Sequence, residues 1–301
     1  MNTLHPSPLP RRQFLTVLGS AGAAALLAGP GSGRATASAA ATETFPRRKG
    51  RLKQGVCRGV FRGVKLDNDQ MCREAAKVGA WGIDLVGPEF FPSLKKYGLI
   101  PTMVPGGSGI KAGINDPQHH ATIEPKLRQA LKDAASVQAP NVIVLAGDRA
   151  GISDEQGLDT CVAFLHRVKA EAEDLGITLC MELLNSKVNH PGYMCDKTAW
   201  GVELCKRVNS PRVKLLYDIY HMQIMEGDLI RTIKANIAWI GHFHTAGNPG
   251  RNEFDESQEI YYPPICKAIA DLGFTGYFSH EYTPTKDALG TLEKMMRLCE
   301  V

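Results

Sequence analysis

Beyond residue 50 the chain alternates between short apolar runs and helical patterns, and few folds accept that rhythm. The apolar runs cover 55–61, 82–86, 100–104, 141–145, 177–183, 213–217, 237–244 and 277–282. Between them, apolar residues recur at spacings of three and four over 67–78, 125–137, 154–175, 198–208, 228–235, 263–272 and 289–298. The stripe of Leu158, Val162, Leu165, Val168 and Ala172 is the clearest of these. Gly79, Gly176 and Gly273 each follow such a pattern and read as C-terminal helix caps. Eight strands alternating with helices predict an α/β fold, a (β/α)8 TIM barrel formed as one domain over 51–301. No Gly-x-Gly-x-x-Gly follows the first run, which argues against a dinucleotide-binding sheet.

In such barrels the chemistry sits at the C-terminal ends of the strands. The last four runs end on Cys180-Met181-Glu182, Tyr217-Asp218-Ile219-Tyr220-His221, His242-Phe243-His244-Thr245 and His280-Glu281-Tyr282. Strand alternation puts Glu182 on one face with Cys180, Asp218 with Leu216, His244 with His242 and Glu281 with Ser279. If that face is the barrel interior, Glu182, Asp218, His244 and Glu281 converge above its mouth. Three acids and an imidazole suit one divalent metal ion, with Mn²⁺, Mg²⁺ or Co²⁺ favoured and Zn²⁺ accommodated. Such a metal polarises a carbonyl, and two carboxylates on opposite sides of a substrate can take and return a proton. The reading is a metal-dependent sugar or keto-acid isomerase with Glu182 and Glu281 as catalysts.

Each residue has a plainer alternative. A strand-end acid can cap a helix, as Asp218 would if a helix follows it. His221 can be a further ligand, a substrate donor or a loop histidine. Arg251 can grip a carboxylate or hydroxyls, or simply lie on the surface.

The ends of the chain differ in composition. Residues 1–42 contain Arg11, Arg12 and Arg34 and no acid; the remainder has 32 basic and 31 acidic residues, a net +1. A nearly neutral body gives no case for a nucleic-acid partner. Arg11-Arg12-Gln13-Phe14-Leu15, a short apolar run and Ala35-Thr36-Ala37-Ser38-Ala39-Ala40 describe an export signal of the twin-arginine (Tat) type over 1–42. The run is too short for a comfortable membrane span, so none is expected after processing. Residues 43–50 read as a linker, and the location as periplasmic or extracellular. Eight cysteines lack any Cys-x-x-Cys pair and read mostly as buried thiols. A homo-oligomer is left open.

Several stretches together carry a resemblance: Gly113-Ile114-Asn115-Asp116-Pro117, Met181-Glu182-Leu183-Leu184-Asn185, Asn189-His190-Pro191-Gly192-Tyr193, Tyr217-Asp218-Ile219-Tyr220-His221 and the loop from Gly241 to Glu253. In them the chain resembles the xylose-isomerase-like barrel superfamily and, within it, the hydroxypyruvate isomerase family. The resemblance implies that Glu182 and Glu281 are metal-bound catalytic carboxylates and that Asp218 completes the acidic ligands. Hydroxypyruvate isomerases often place glutamine fourth; here His244 stands there, as in the related ketose 3-epimerases. His221 and Arg251 match substrate contacts of those epimerases. The glutamate that epimerases carry shortly after the fifth strand is missing, and Asn185, Lys187 and His190 imply a different substrate wall. A DNA-repair endonuclease of the superfamily is similar at Glu182, Asp218, His221, His244 and Glu281, but its Asp-x-His pair is replaced here by Gly250-Arg251-Asn252. A small sugar or keto acid is therefore the expected partner. Ketose 3-epimerisation, sugar dehydration or 3-keto-glycoside lysis, and sugar binding without turnover are the alternatives.

Overall fold

The computed structural model describes residues 45–301; the export signal expected over 1–42 and the start of the linker lie outside them. Eight parallel strands close into a barrel, each bonded to the next and the last to the first. They are β1 (Lys53–Cys57), β2 (Gly82–Asp84), β3 (Ile100–Pro105), β4 (Asn141–Val144), β5 (Thr178–Leu183), β6 (Val213–Asp218), β7 (Ile240–Thr245) and β8 (Tyr277–His280). The helices are α1 (Asn68–Lys77), α2 (Phe91–Lys96), α3 (Pro117–Ser136), α4 (Asp154–Leu175), α5 (Thr198–Val208), α6 (Ile219–Met225), α7 (Leu229–Asn236), α8 (Tyr262–Asp271) and α9 (Ala288–Leu298). Among the described residues no helix is long and apolar enough to cross a membrane.

All eight expected strands are present, and the differences have local causes. Residues 58–61, expected to continue β1, form a 3₁₀ turn that buries Val60 and Phe61 together. Helix α3 starts at Pro117, eight residues before the expected start at Pro125. Asp116 caps it by accepting from the backbone N–H of Gln118, and Pro117 fits the first turn, where no donor is needed. Helices α2 and α6 are too short to show a period. Helix α4 runs over the expected residues, between a Ser153–Gln156 capping box and Gly176 at a φ of 70°.

The barrel interior is divided in two. Met103, Ile143, Cys180 and Leu216, one from each of β3 to β6, form a small buried cluster separate from the main core. The main core, with Val142, Met181, Leu215 and Phe243, packs between the barrel and its helices. The rest of the interior is polar, with Asp84, Thr102, His242, His244 and Ser279 all fully buried. Gly55 makes this possible. A Cβ there would stand 2.4 Å from Ser279 Oγ and 3.3 Å from Thr102 Oγ1. All eight cysteines are buried and free.

Candidate active site

Each strand-end acid or imidazole owes its place to register. Asp218, the last residue of β6, pairs with His244 of β7, and His244 pairs with Ser279 of β8. Glu281 follows β8 directly, and its N–H bonds the carbonyl of Thr245 at 2.8 Å. One ligating atom from each of Glu182, Asp218, His244 and Glu281 lies within 4.8 Å of the others. His244 Nδ1 is 2.9 Å from Glu281 Oε2 and 3.5 Å from Glu182 Oε1. Asp218 fulfils both readings open to it. Its Oδ1 accepts from the backbone N–H of His221 at 3.1 Å and caps α6, while its Oδ2 faces the cluster.

The surrounding loops add cations and donors. Arg251, in the loop after β7, points Nη2 at Glu281 Oε2 (2.6 Å) and Asp218 Oδ2 (3.3 Å). Its guanidinium also lies over the Tyr220 ring at 5.6 Å, a cation–π distance. His221 Nε2 approaches Asp218 Oδ2 at 3.6 Å without a hydrogen bond, and its Nδ1 accepts from the Asn185 backbone N–H at 3.1 Å. Asn185 is fully buried and engaged: its Oδ1 accepts from the N–H groups of Val188 and Asn189, and its amide lies 2.6 Å from His221 Nδ1. Its role in the structure is to hold His221 and the loop. Lys187, expected as a substrate contact, is engaged with the protein itself in this structure. Its ammonium donates to the carbonyls of Ile224 and Met225 at 3.0 and 2.9 Å, fastening the β5–α5 loop to the C-terminal end of α6. Carbonyls left without intrahelical partners attract such a cation. His190 stays near the site, its ring 5.4 Å from that of His221.

Burial and like charges compete with cations for control of these acids. Burial raises Glu182, and it raises Asp218 to about 7 against the pull of Arg251. Burial would also raise Glu281, but Arg251 and His244 beside it prevail and hold it well below the usual carboxylate range. Burial works against a charged His244, yet Cys57, Glu281 and Asp84 around it win and push it up. Glu182 and Asp218 are thus held towards their protonated forms, and Glu281 and His244 towards their charged ones.

The donor set fits a divalent cation. His244 Nδ1 is buried, has no hydrogen-bond partner and faces two carboxylates. Two carboxylate oxygens and a ring nitrogen turned towards one point require a positive charge between them, either a proton or a metal ion. Glu281 and Arg251 keep 20% and 25% of their side chains exposed, so the opening to solvent lies on their side.

Asp84 and Tyr193 are parts of the site that the strand-end pattern did not single out. Asp84, on the far side of His244 from the carboxylates, lies 2.6 Å from His242 Nε2 and 3.0 Å from His244 Nε2. Its signal was an acid inside the apolar run at 82–86. Tyr193 carries no charge to give it away. Its hydroxyl donates to the Glu182 carbonyl at 3.0 Å and accepts from the Ala146 N–H at 3.1 Å, fixing the end of β5. A depression of about 520 Å³ lined by Lys53, Asn141, Lys214 and Tyr277 lies at the opposite end of the barrel, away from this chemistry.

The sequence profile of the xylose isomerase-like TIM barrel family matches residues 75–299. Among named relatives, the 2-oxo-tetronate isomerase of Cupriavidus necator is 37% identical over 121 residues, 39% of this chain and 46% of that protein. A Xenopus laevis protein provisionally named hydroxypyruvate isomerase is 33% identical over 143 residues, 46% of this chain and 52% of that protein. The chain thus spans about half the length of the curated relatives it matches. Among solved structures, an AP endonuclease of family 2 from Brucella melitensis superposes with a TM-score of 0.75 at 24% identity, covering 82% of this chain and 99% of that one. A likeness at that identity shows the fold.

Replacing Tyr193 by Phe leaves the buried Ala146 N–H without its acceptor. It is expected to lower the unfolding free energy by about 1–3 kcal/mol. Urea unfolding followed by circular dichroism measures this; an unchanged midpoint would remove the hydroxyl from the support of β5.

Proposed function

The chain belongs to the xylose isomerase-like TIM barrel family, and we propose that it is a metal-dependent isomerase of a small hydroxy-carbonyl acid or sugar. The observation that carries the reading is the convergence of Glu182, Asp218, His244 and Glu281 on one point, with the buried Nδ1 of His244 aimed into it. The names of the relatives support a 2-oxo acid of the hydroxypyruvate or 2-oxo-tetronate kind. A divalent cation held by those four side chains, Mn²⁺, Mg²⁺ or Co²⁺ before Zn²⁺, would polarise the substrate carbonyl and acidify the neighbouring C–H.

The protein's own groups then divide the work. Glu281 and Glu182 are pushed in opposite directions, a pattern that separates base from acid. Ionised Glu281 takes the proton from the carbon beside the carbonyl. Glu182, through the carboxylate oxygen it does not turn to the cation, delivers a proton to the adjacent carbon, and the substrate's hydroxyl proton passes to the former carbonyl oxygen. His221 Nε2, buried without a hydrogen-bond partner, is available to the substrate oxygens. Arg251 orients a carboxylate or hydroxyl at the open side. Epimerisation is the second reading, favoured by an imidazole at the fourth ligand position, and it uses the same two carboxylates.

Glu182→Gln and Glu281→Gln should each abolish nearly all turnover while the barrel stays folded. The assay is incorporation of carbon-bound deuterium from D2O into hydroxypyruvate and a panel of ketoses, followed by NMR. Substantial exchange in either variant would sink the two-carboxylate mechanism, and the products separate isomerisation from epimerisation.

Metal binding should release protons. Asp218, raised to about 7, has to ionise to act as a ligand, so affinity strengthens as pH rises through that value. The apparent Kd for Co²⁺ is expected to weaken at least about tenfold between pH 8 and pH 6, tenfold from the Asp218 proton alone and more from those that Glu182 and His244 give up. Calorimetry in buffers of different ionisation enthalpy reads it, and a flat profile contradicts the ligand role of Asp218.

The twin-arginine segment supports export. N-terminal sequencing of the mature protein from the periplasm or medium should find the chain starting near residue 42. A full-length cytoplasmic protein would refute this.

A further inference from the structure

The carboxylate of Asp84 sits at the floor of the site as the acceptor on which four side chains converge. Its Oδ2 faces Nε2 of both His242 and His244, at 2.6 and 3.0 Å. Its Oδ1 receives the hydroxyl of Ser279 at 2.9 Å and that of Thr102. An ionised carboxylate accepts about four hydrogen bonds and donates none, so these four neighbours saturate it and each turns a proton towards it. His242 and His244 therefore carry their protons on Nε2; Cys57 Sγ, 3.5 Å from His244 Nε2, is the longer and weaker neighbour beside the carboxylate at 3.0 Å. The amide of Asn141, 3.4 Å from His242 Nδ1, meets the lone pair this leaves on the other nitrogen.

The same three residues do not make a second metal site. A cation with bonds of about 2.0–2.2 Å at ordinary angles keeps its donors about 3 Å or more apart. The 2.6 Å separation between His242 and Asp84 is that of a charge-assisted hydrogen bond.

We propose that Asp84 is the positioning residue of the metal centre. It holds the His244 proton on Nε2, so that the Nδ1 lone pair is presented to the metal alongside Glu182, Asp218 and Glu281. The inference rests on the metal-site reading above. It adds which nitrogen binds and which residue decides. Gly55 is part of the device, since it leaves room for the two hydroxyls that occupy Oδ1 and confine the imidazoles to Oδ2.

The test uses the metals alone as probes. In the Zn²⁺-loaded wild-type protein, long-range ¹H–¹⁵N spectra should show His244 bound through Nδ1 and protonated at Nε2. Asp84→Asn, which keeps the shape but loses the charge, should weaken Co²⁺ binding about 10–100-fold. Ligation through Nε2, or Co²⁺ affinity in Asp84→Asn within threefold of the wild type, would overturn the proposal. Failure of the wild-type protein to bind either metal would instead overturn the metal-site reading itself. If Asp84→Asn does not fold, the wild-type spectrum alone decides.

Discussion

Like charges do not gather in a protein interior without compensation, and this barrel gathers three at the ends of β5, β6 and β8. Glu182, Asp218 and Glu281 repel one another at close range in a place where water screens them poorly. Much of the upper barrel answers that cost. Arg251 reaches across to Asp218 and Glu281, His244 stands between Glu182 and Glu281, and the α6 N-terminus also meets Asp218. A cluster maintained at this expense is poised to hold a cation. Stability alone is generally served better by apolar side chains, the kind that fill the Met103–Leu216 half of the interior.

The fold was legible because both of its periods are long-range and repeated. Runs such as 177–183 and 213–217 must alternate inward and outward, and helix 154–175 is long enough for its stripe to be unmistakable. What escaped was local. Pro125 looked like a helix start, but Asp116 and Pro117 offered a better one two turns earlier. Val60 and Phe61 looked like strand because both are apolar, yet both are buried on one turn.

The site was legible where charge interrupts an apolar strand end, as at Glu182, Asp218 and Glu281. It was illegible where function depends on what a side chain's neighbours do. Lys187 has the chemistry of a substrate contact, but the carbonyls ending α6 claim it first, and α6 itself left no periodic trace. Asn185 looked like a ligand-facing amide and is spent on His221. Asp84 was missed although it too interrupts an apolar run. Its importance comes from the side chains of β7 meeting it across the interior of the closed barrel, a contact between residues 158 positions apart.

Tyr193 links two parts that would otherwise change independently. The clustered acids stand on strands or directly after one, while the walls around them come from loops. That division lets a lineage exchange loops to change substrates and keep its chemistry. Here, however, the β5–α5 loop also reaches back with its tyrosine to tie down the carbonyl of Glu182. A loop graft that omitted that hydroxyl would change the wall and slacken the strand that carries Glu182 at once. Diversification of this barrel is therefore freer in the loop carrying Arg251 than in the one carrying Tyr193.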